Sequence, residues 1–350
     1  MLRLGEGSMT DDELTVLMIA SQGESMIPIG RWEKPIRDLT AQGFMRCNDS
    51  ANYVITEKGC AAVRQEETAR EDDFKNALAA RRGQTDKINV DMTVANRQIK
   101  FDLTYDPGFT ADVCTVEFLR FNGACEPETV HLMRRVLREG DFAIDGGANI
   151  GFFTMVMSRL VGEQGHVEAF EPATVNFTKL RANLHLNRAD NVTAINRGLW
   201  SEDTDLTLHI AADTGLSSLM PFDDAITRLP VRGLTLDKWC GNYDQPCRLL
   251  KLDIEGAEEH ALIGAQEMLR KGIDFISCEI NERALANFGS SQMDLRDYMA
   301  GKGYSAFMLH DDGRLPTQLK REDRIVGSEN TNMLFSTEEK VHAAWGQVLT

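Results

Sequence analysis

The order of apolar and polar positions gives the chain two textures. Near the N-terminus, "DDELTVLMIASQG" carries apolar residues at helical spacing behind an acidic first turn and stops on glycine. "GRWEKPIRDLTAQGF" repeats the plan and closes at Gly43, and "FMRCNDSANYVITEKG" places two short apolar runs around a polar turn from Asn48 to Asn52. Helix, helix, hairpin is the predicted order over residues 1–64. "EETAREDDFKNALAARRGQTDK", within 65–87, reads as a charged helical linker with a solvated face. Over 88–125, "INVDMTV", "RQIKFDLT" and "CTVEFLRF" alternate apolar and polar, which predicts short antiparallel strands capping the next domain.

From residue 126 onward, helical and buried-strand patterns alternate. "PETVHLMRRVLREGD" is a helix, "FAIDGG" a strand, "NIGFFTMVMSRLVG" a helix, "HVEAFEP" a strand and "ATVNFTKLRANLHLN" a helix. "VTAINRGLW", "TDLTLHIAA", "LPVRGLTLD" and "RLLKLDIEG" are strands, followed by the helix "AEEHALIGAQEMLRKG" and the strand "FISCEIN". Such alternation implies right-handed crossovers, and so an α/β fold with a doubly wound, mostly parallel, Rossmann-like sheet over 126–350. In these sheets ligands sit beyond the carboxyl ends of the strands.

Composition narrows the function. The 38 Lys and Arg face 54 Asp and Glu, a formal charge of -16, so a phosphate backbone is on average repelled. The 7 cysteines are scattered without a C-x-x-C pair, which argues for reduced thiols over a disulfide frame or a zinc site. The longest apolar run near the N-terminus, "TVLMIA", is too short for a leader or a membrane span, so a cytoplasmic protein without membrane association is expected. The N-terminal module resembles a winged helix. Arg31, Lys34 and Arg37 of its second helix are interrupted by Glu33 and Asp38, and the first 71 residues hold 8 Lys and Arg against 12 Asp and Glu. Homodimerisation or substrate docking fits this module better than DNA binding, and a ligand-responsive transcription regulator stands as the alternative.

The stretch "FAIDGGANIGFFTMVMSRLVGEQGHVEAFEP" decides the ligand. A dinucleotide fingerprint needs three glycines so that the backbone can approach a pyrophosphate. Counting from Gly147, the next two places hold Asn149 and Phe152; counting from Gly146, the second holds Ala148. What remains is D-x-G-x-N-x-G, Asp145 through Gly151 with Gly147 and Asn149 inside it, and Glu171 ending the next strand. Such an acid accepts both hydroxyls of a ribose. A ligand with ribose, a cationic centre and no pyrophosphate is S-adenosylmethionine: Asp145 would face the cation, and the start of the following helix would supply N–H groups to the carboxylate.

"EPETVHLMRRVLREGDFAIDGGANIGFFTMVMSRLVG", "VEAFEPATVNFTKLRANLHLN", "LTLDKW" and "LLKLDIEGAEEHALIGAQEML" resemble, in order, the signature segments of the FkbM family of S-adenosylmethionine-dependent methyltransferases, over about residues 125–340. The resemblance implies a class I methyltransferase fold and O-methylation of hydroxyls on polyketides, sugars or lipids, with a small or carrier-bound acceptor. By position it adds Pro172 after Glu171, Gly198 and Leu199 as adenine walls, and a serine loop with Ser217 and Ser218 beside the active site. Gly146 stands where the family usually has an aliphatic residue, and the N-terminal module is not a general family feature.

Methyl transfer to a hydroxyl needs an in-line approach and a proton acceptor, or a metal that acidifies the hydroxyl. Asp253 and Glu255 in "KLDIEGAEE" and Glu279 and Asn281 in "CEIN" are expected to converge as catalytic residues, with His310 as a further candidate base. Asp253 also borders the cofactor in this reading. Asp253, Glu279 and Asn281 form an oxygen-ligand set suited to Mg2+. Glu258 and Glu259 at a helix start and His260 within it read as structural.

Overall fold

The computed structural model describes residues 3–4, 7–8, 39–40, 45–47, 53–55, 58, 83–94, 97–108, 110–122, 125–211, 217–219, 225–241, 243–325 and 331–346. The chain divides into two compact units, Met1–Ala80 and Arg81–Thr350. In the first, Arg3–Leu4 pairs with Gly7–Ser8, and Met45–Cys47 pairs antiparallel with Tyr53–Ile55, flanking the predicted polar turn. Of the two helices expected ahead of that hairpin only Leu39 and Thr40 are described, and they are helical; residues 65–82 of the expected linker lie outside the described residues.

The second unit opens on a long hairpin, β1 (Asp86–Val94) and β2 (Arg97–Tyr105), so Asp86 and Lys87 are strand and not helical linker. The hairpin is one nine-residue pairing from Asp86 with Tyr105 to Val94 with Arg97, longer than the pieces expected. Val90, Met92, Ile99, Phe101 and Leu103 fill its inner face, while Asp91 and Asp102 meet Lys100 and Lys87 on the outer one. "CTVEFLRF" is not a strand: it lies within helix α1 (Thr110–Asn122), where Asp112, Val116 and Leu119 are buried at helical spacing.

The outer edge of β2 is closed by two side chains from a helix. Asn183 Oδ1 accepts from Thr104 N at 2.8 Å while its Nδ2 donates to Thr104 O at 3.0 Å and to Ile150 O at 2.8 Å. Asn187 repeats the pairing on Asp102, with bonds of 2.8 and 2.7 Å. Alternate strand residues present their backbone to the same edge, and residues four apart share a helix face, so the two amides stand in for a missing strand. Asn183 is fully buried. Its replacement by Ala strands several backbone groups, and we expect a loss of about 3 kcal/mol in urea unfolding, against roughly 1 kcal/mol for an ordinary hydrogen bond.

The main sheet is built from β3 (Phe142–Gly146), β4 (His166–Phe170), β5 (Val192–Ile195), β10 (Cys247–Leu252), β11 (Phe275–Ile280), β12 (Ser305–Met308), β13 (Thr317–Gln318) and β14 (Thr331–Ser336). Its order is β13-β12-β14-β11-β10-β3-β4-β5. Strands β5, β4, β3, β10 and β11 are mutually parallel; β14, β12 and β13 join antiparallel. Between β5 and β10 sits a smaller four-stranded sheet of β6 (Gly198–Leu199), β7 (Asp205–Ala211), β8 (Ser217–Ser218) and β9 (Ala225–Leu234), so "VTAINRGLW" is two strands.

Each face of the main sheet has its own core. One joins the hairpin to α2 (Pro127–Val136), α3 (Phe152–Val161), α4 (Thr174–Leu186) and α10 (Glu338–Gly346). Helix α3 is apolar almost all round because it is sandwiched between sheet and hairpin, with Phe101 and Phe152 6.0 Å apart. The other core packs α5 (Leu236–Cys240), α6 (Glu258–Ile263), α7 (Gln266–Lys271), α8 (Glu282–Asn287) and α9 (Gln292–Gly301). The single helix expected over 257–272 is thus two, α6 and α7. No helix among the described residues is long and apolar enough to cross a membrane.

Candidate active site

Strand order reverses at β3: the chain winds outward through β4 and β5, then crosses back to place β10 on the other side. A crevice opens at such a point, beyond the carboxyl ends of the strands. Here it is lined by Gly147 and Asn149 after β3, Phe170, Glu171 and Pro172 after β4, Asn176 of α4, Arg197, Gly198 and Leu199, Leu208 and Leu219 of the smaller sheet, and Asp253, Ile254 and Glu255 after β10.

The turn after β3 is held by close backbone approach. Gly147 has φ 83°, and a Cβ there would lie 1.8 Å from the Asp253 carbonyl oxygen. Gly147 N and Ala148 N donate to Phe170 O at 3.0 and 2.9 Å, stitching β3 to β4 past the end of the sheet. Glu171 is 4% exposed, and each of its oxygens takes a backbone N–H: Oε2 from Asn149 and Oε1 from Ala173, both at 2.8 Å. Burial pushes this carboxyl up to about 7 against the pull of those two bonds. Asn196 donates to the carbonyls of Glu171 and Pro172, fixing the corner on which the acid stands.

Two expected contacts are displaced. Asp145 is fully buried under the floor and does not line the crevice; its Oδ2 accepts from Thr154 Oγ1 at 2.5 Å, and burial raises its carboxyl. Asp145 lies inside β3, a strand buried on both faces, so its side chain points into a core, which is why it lies below the ligand surface. Gly151, at φ 98°, does not face the crevice either: a Cβ there would press on Leu180 Cδ1 at 2.7 Å, so it serves close packing of α3 against α4. Ser218 is in β8, paired with His209, and its side chain lies outside the described residues.

Across the crevice, Asp253, Glu255 and Glu279 bring carboxylate oxygens within 4.8 Å of one another. Glu255 takes φ 56°, an uncommon backbone for a residue with a side chain. Burial, then Asp253 and Glu258, push its carboxyl up to about 8. Glu279, on β11, is 8% exposed; burial first, then Asp253 and Glu255, push it up to about 11, so it is protonated at neutral pH and hydrogen-bonds Asp253.

Asn281 does not complete the expected metal set. Its Oδ1 caps α8, accepting from Ala284 N at 3.0 Å. Asp253 Oδ2 already accepts from the Lys251 ammonium at 2.9 Å, a cation supplied by the chain. The Mg2+ expectation is therefore set aside. His310 is no base for this crevice: it stands in the turn after β12, with Nε2 2.8 Å from Thr317 Oγ1 and Nδ1 3.1 Å from Arg314, and it is not among the lining residues. Glu258 folds back on the corner, accepting from Ile254 N at 3.0 Å, and His260 stacks on Trp200 at 3.9 Å, so both are structural as expected.

Residues 145–306 match the sequence family described as the methyltransferase FkbM domain. Over 163 residues the chain is similar to "Methyltransferase 1" of Beauveria bassiana (strain ARSEF 2860), 29% identical, covering 41% of this chain and 65% of that protein. It is also similar to "Methyltransferase sdnD" of Sordaria araneosa, 32% identical over 163 residues, covering 37% of this chain and 62% of that protein. The matched segment thus spans less than two thirds of these relatives. A crystal structure of methyltransferase FkbM from Methylobacillus flagellatus KT is similar at a TM-score of 0.38 and 17% identity, over 77% of this chain and 60% of that one, too loosely to argue from. The relatives named are methyltransferases, so the regulator alternative gains nothing from them.

The departure at Gly146 has a physical reason. A Cβ there would meet Leu199 Cδ1 and Leu252 Cδ2, each at 2.8 Å, so here the volume of an aliphatic residue is filled by the neighbouring leucines. Sequence reasoning missed several residues of the domain's crevice and its floor: Asn196, Arg197, Lys251, and the pair Glu126 and Asn332, whose side chains bond at 2.8 Å. Lys251 alone left a signal, a charge inside the apolar run of "RLLKLDI".

Proposed function

We propose that this chain is an S-adenosylmethionine-dependent methyltransferase that methylates a hydroxyl of a small molecule, sugar, lipid or natural product. The observation that carries the reading is one crevice lined by Glu171 after β4 and Asp253 after β10, with Gly147 between them after β3. Glu171, with both oxygens pinned by backbone, offers the ribose hydroxyls a rigid pair of acceptors. Asp253 offers negative charge to the amino and sulfonium groups. Phe170, Leu199 and Leu208 offer apolar walls to the adenine.

The cofactor supplies an electrophilic methyl carbon; the chain must orient the acceptor and receive its proton. Glu255 suits the second task, because it lines the crevice and its carboxyl titrates near 8, in the range useful to a base around neutral pH. Glu279, protonated until about 11, acts instead as a donor to Asp253. Glu255→Gln is expected to keep S-adenosylhomocysteine affinity within about threefold while lowering turnover by a factor of about 100 to 10,000. Wild-type kcat/KM should rise with pH toward a plateau above about 8, the value at which Glu255 sheds its proton.

Calorimetric titration of the purified chain tests the reading: S-adenosylhomocysteine and S-adenosylmethionine should bind saturably and NAD should not. Binding of NAD without either sulfur compound would sink it.

A further inference from the structure

Among the described residues no other lysine is buried as Lys251 is, at 1% exposure. Leu250 and Leu252 of β10 enter one core, so Lys251 must enter the opposite one, where Leu249 already lies. Its stem runs there to Phe153 of α3, and the ammonium sits 4.6 Å from the ring centroid. An ammonium withdrawn from water costs several kcal/mol unless acids repay it. Acids from three separate elements face it: Asp253 after its own strand at 2.9 Å, Asp145 at the end of β3, and Glu126 ahead of α2. Glu255 stands farther along the same loop, Glu279 hydrogen-bonds the same Asp253, and the Cys125 and Cys278 thiols, which burial keeps neutral, also stand near the ammonium.

The network reaches beyond the crevice. Glu126 sits at φ 45° and accepts from Asn332 Nδ2 at 2.8 Å, and the same amide donates to Glu128 Oε1 at 3.0 Å. Asn332 is the register partner of Glu279 across β14 and β11. Asp145 keeps one buried oxygen, Oδ1, without a hydrogen-bond partner.

We infer that Lys251 is the positioning residue of this crevice: its ammonium joins Asp253, Asp145 and Glu126 from three elements and holds the Asp253 carboxylate toward the ligand. The inference rests on the proposed binding of S-adenosylmethionine and adds the group that holds its acidic wall in place. Burial already raises the Asp145 and Glu126 carboxyls against the pull of the ammonium, so without the cation these two acids hold their protons to higher pH.

The experiment is calorimetric titration with S-adenosylhomocysteine at pH 7 and pH 9, each variant compared with wild type at the same pH. Lys251→Met should weaken binding about tenfold or more at pH 7 and recover most of that loss at pH 9, while Lys251→Arg stays within about threefold at both. An equal loss at the two pH values in Lys251→Met, or no loss at either, overturns the inference. If Lys251→Met does not fold, Lys251→Arg decides: near-wild-type binding supports the inference, and lost binding with a native circular dichroism spectrum overturns it. Wild type that binds neither S-adenosylhomocysteine nor S-adenosylmethionine removes the proposed function itself, a result distinct from wild type that binds with an indifferent Lys251.

Discussion

Glu171→Gln lowers S-adenosylhomocysteine affinity about 100-fold on this account, the second largest loss of cofactor affinity expected of a single substitution in the crevice. The substitution keeps shape but replaces a carboxylate with an amide that has one acceptor oxygen. Two charge-assisted bonds to the ribose become at most one neutral bond, a loss of about 3 kcal/mol, and either Asn149 N or Ala173 N loses its acceptor as well. The pH dependence carries a second signature. Burial holds the carboxyl near 7 in the unliganded protein, and ribose hydroxyls donate best to its ionised form. Wild-type affinity should therefore fall as pH drops below about 7, by up to about tenfold per pH unit, and that slope should vanish in Glu171→Gln. Titrations at pH 6 and 8 measure both effects; a variant that binds like wild type at both contradicts the ribose assignment.

Gly147→Ala should have the largest effect, because it acts on fold and site together. The added Cβ would lie 1.8 Å from Asp253 O and 2.9 Å from its carbonyl carbon, both backbone atoms that cannot rotate away. A positive φ of 83° adds about 1 to 2 kcal/mol of strain. Relief requires β3 and β10 to part where the crevice begins, so we expect destabilisation above about 3 kcal/mol and no detectable S-adenosylhomocysteine binding. Gly140→Ala is the matched comparison: its φ is 87°, but nothing lies within 4 Å of the added carbon, so strain alone should appear and binding should persist. Urea midpoints and titrations on the pair separate close approach from backbone strain; equal behaviour of the two would contradict the packing argument.

The parts legible in the sequence were those written in local pattern. The β3, α3, β4 unit announces itself through buried strands that stop on glycine or acid, and Glu171 stands in the crevice where the pattern put it. Asp145 follows the same pattern but lies in the core, since a residue near the end of a strand may face either way and only packing settles which. Asn281 and His310 were drawn toward chemistry by residue type, yet nearby backbone and side chains use them first: a helix N-terminus in one case, Thr317 and Arg314 in the other. Helix α1 was misread because Val113, Thr115 and Val116 favour strands, whereas the buried Asp112, Val116 and Leu119 impose a helical period. What sequence could not carry was separation: Lys251 meets Glu126 at a sequence separation of 125, and Asn332 meets Glu126 at 206. No window of local pattern spans such distances.

A crystal structure of this chain with S-adenosylhomocysteine tests the central claim most directly. The account predicts both ribose hydroxyls within about 3 Å of the Glu171 carboxylate and the sulfur on the side of Asp253 and Glu255. An adenosyl group bound anywhere else, or a ribose turned away from Glu171, would contradict it.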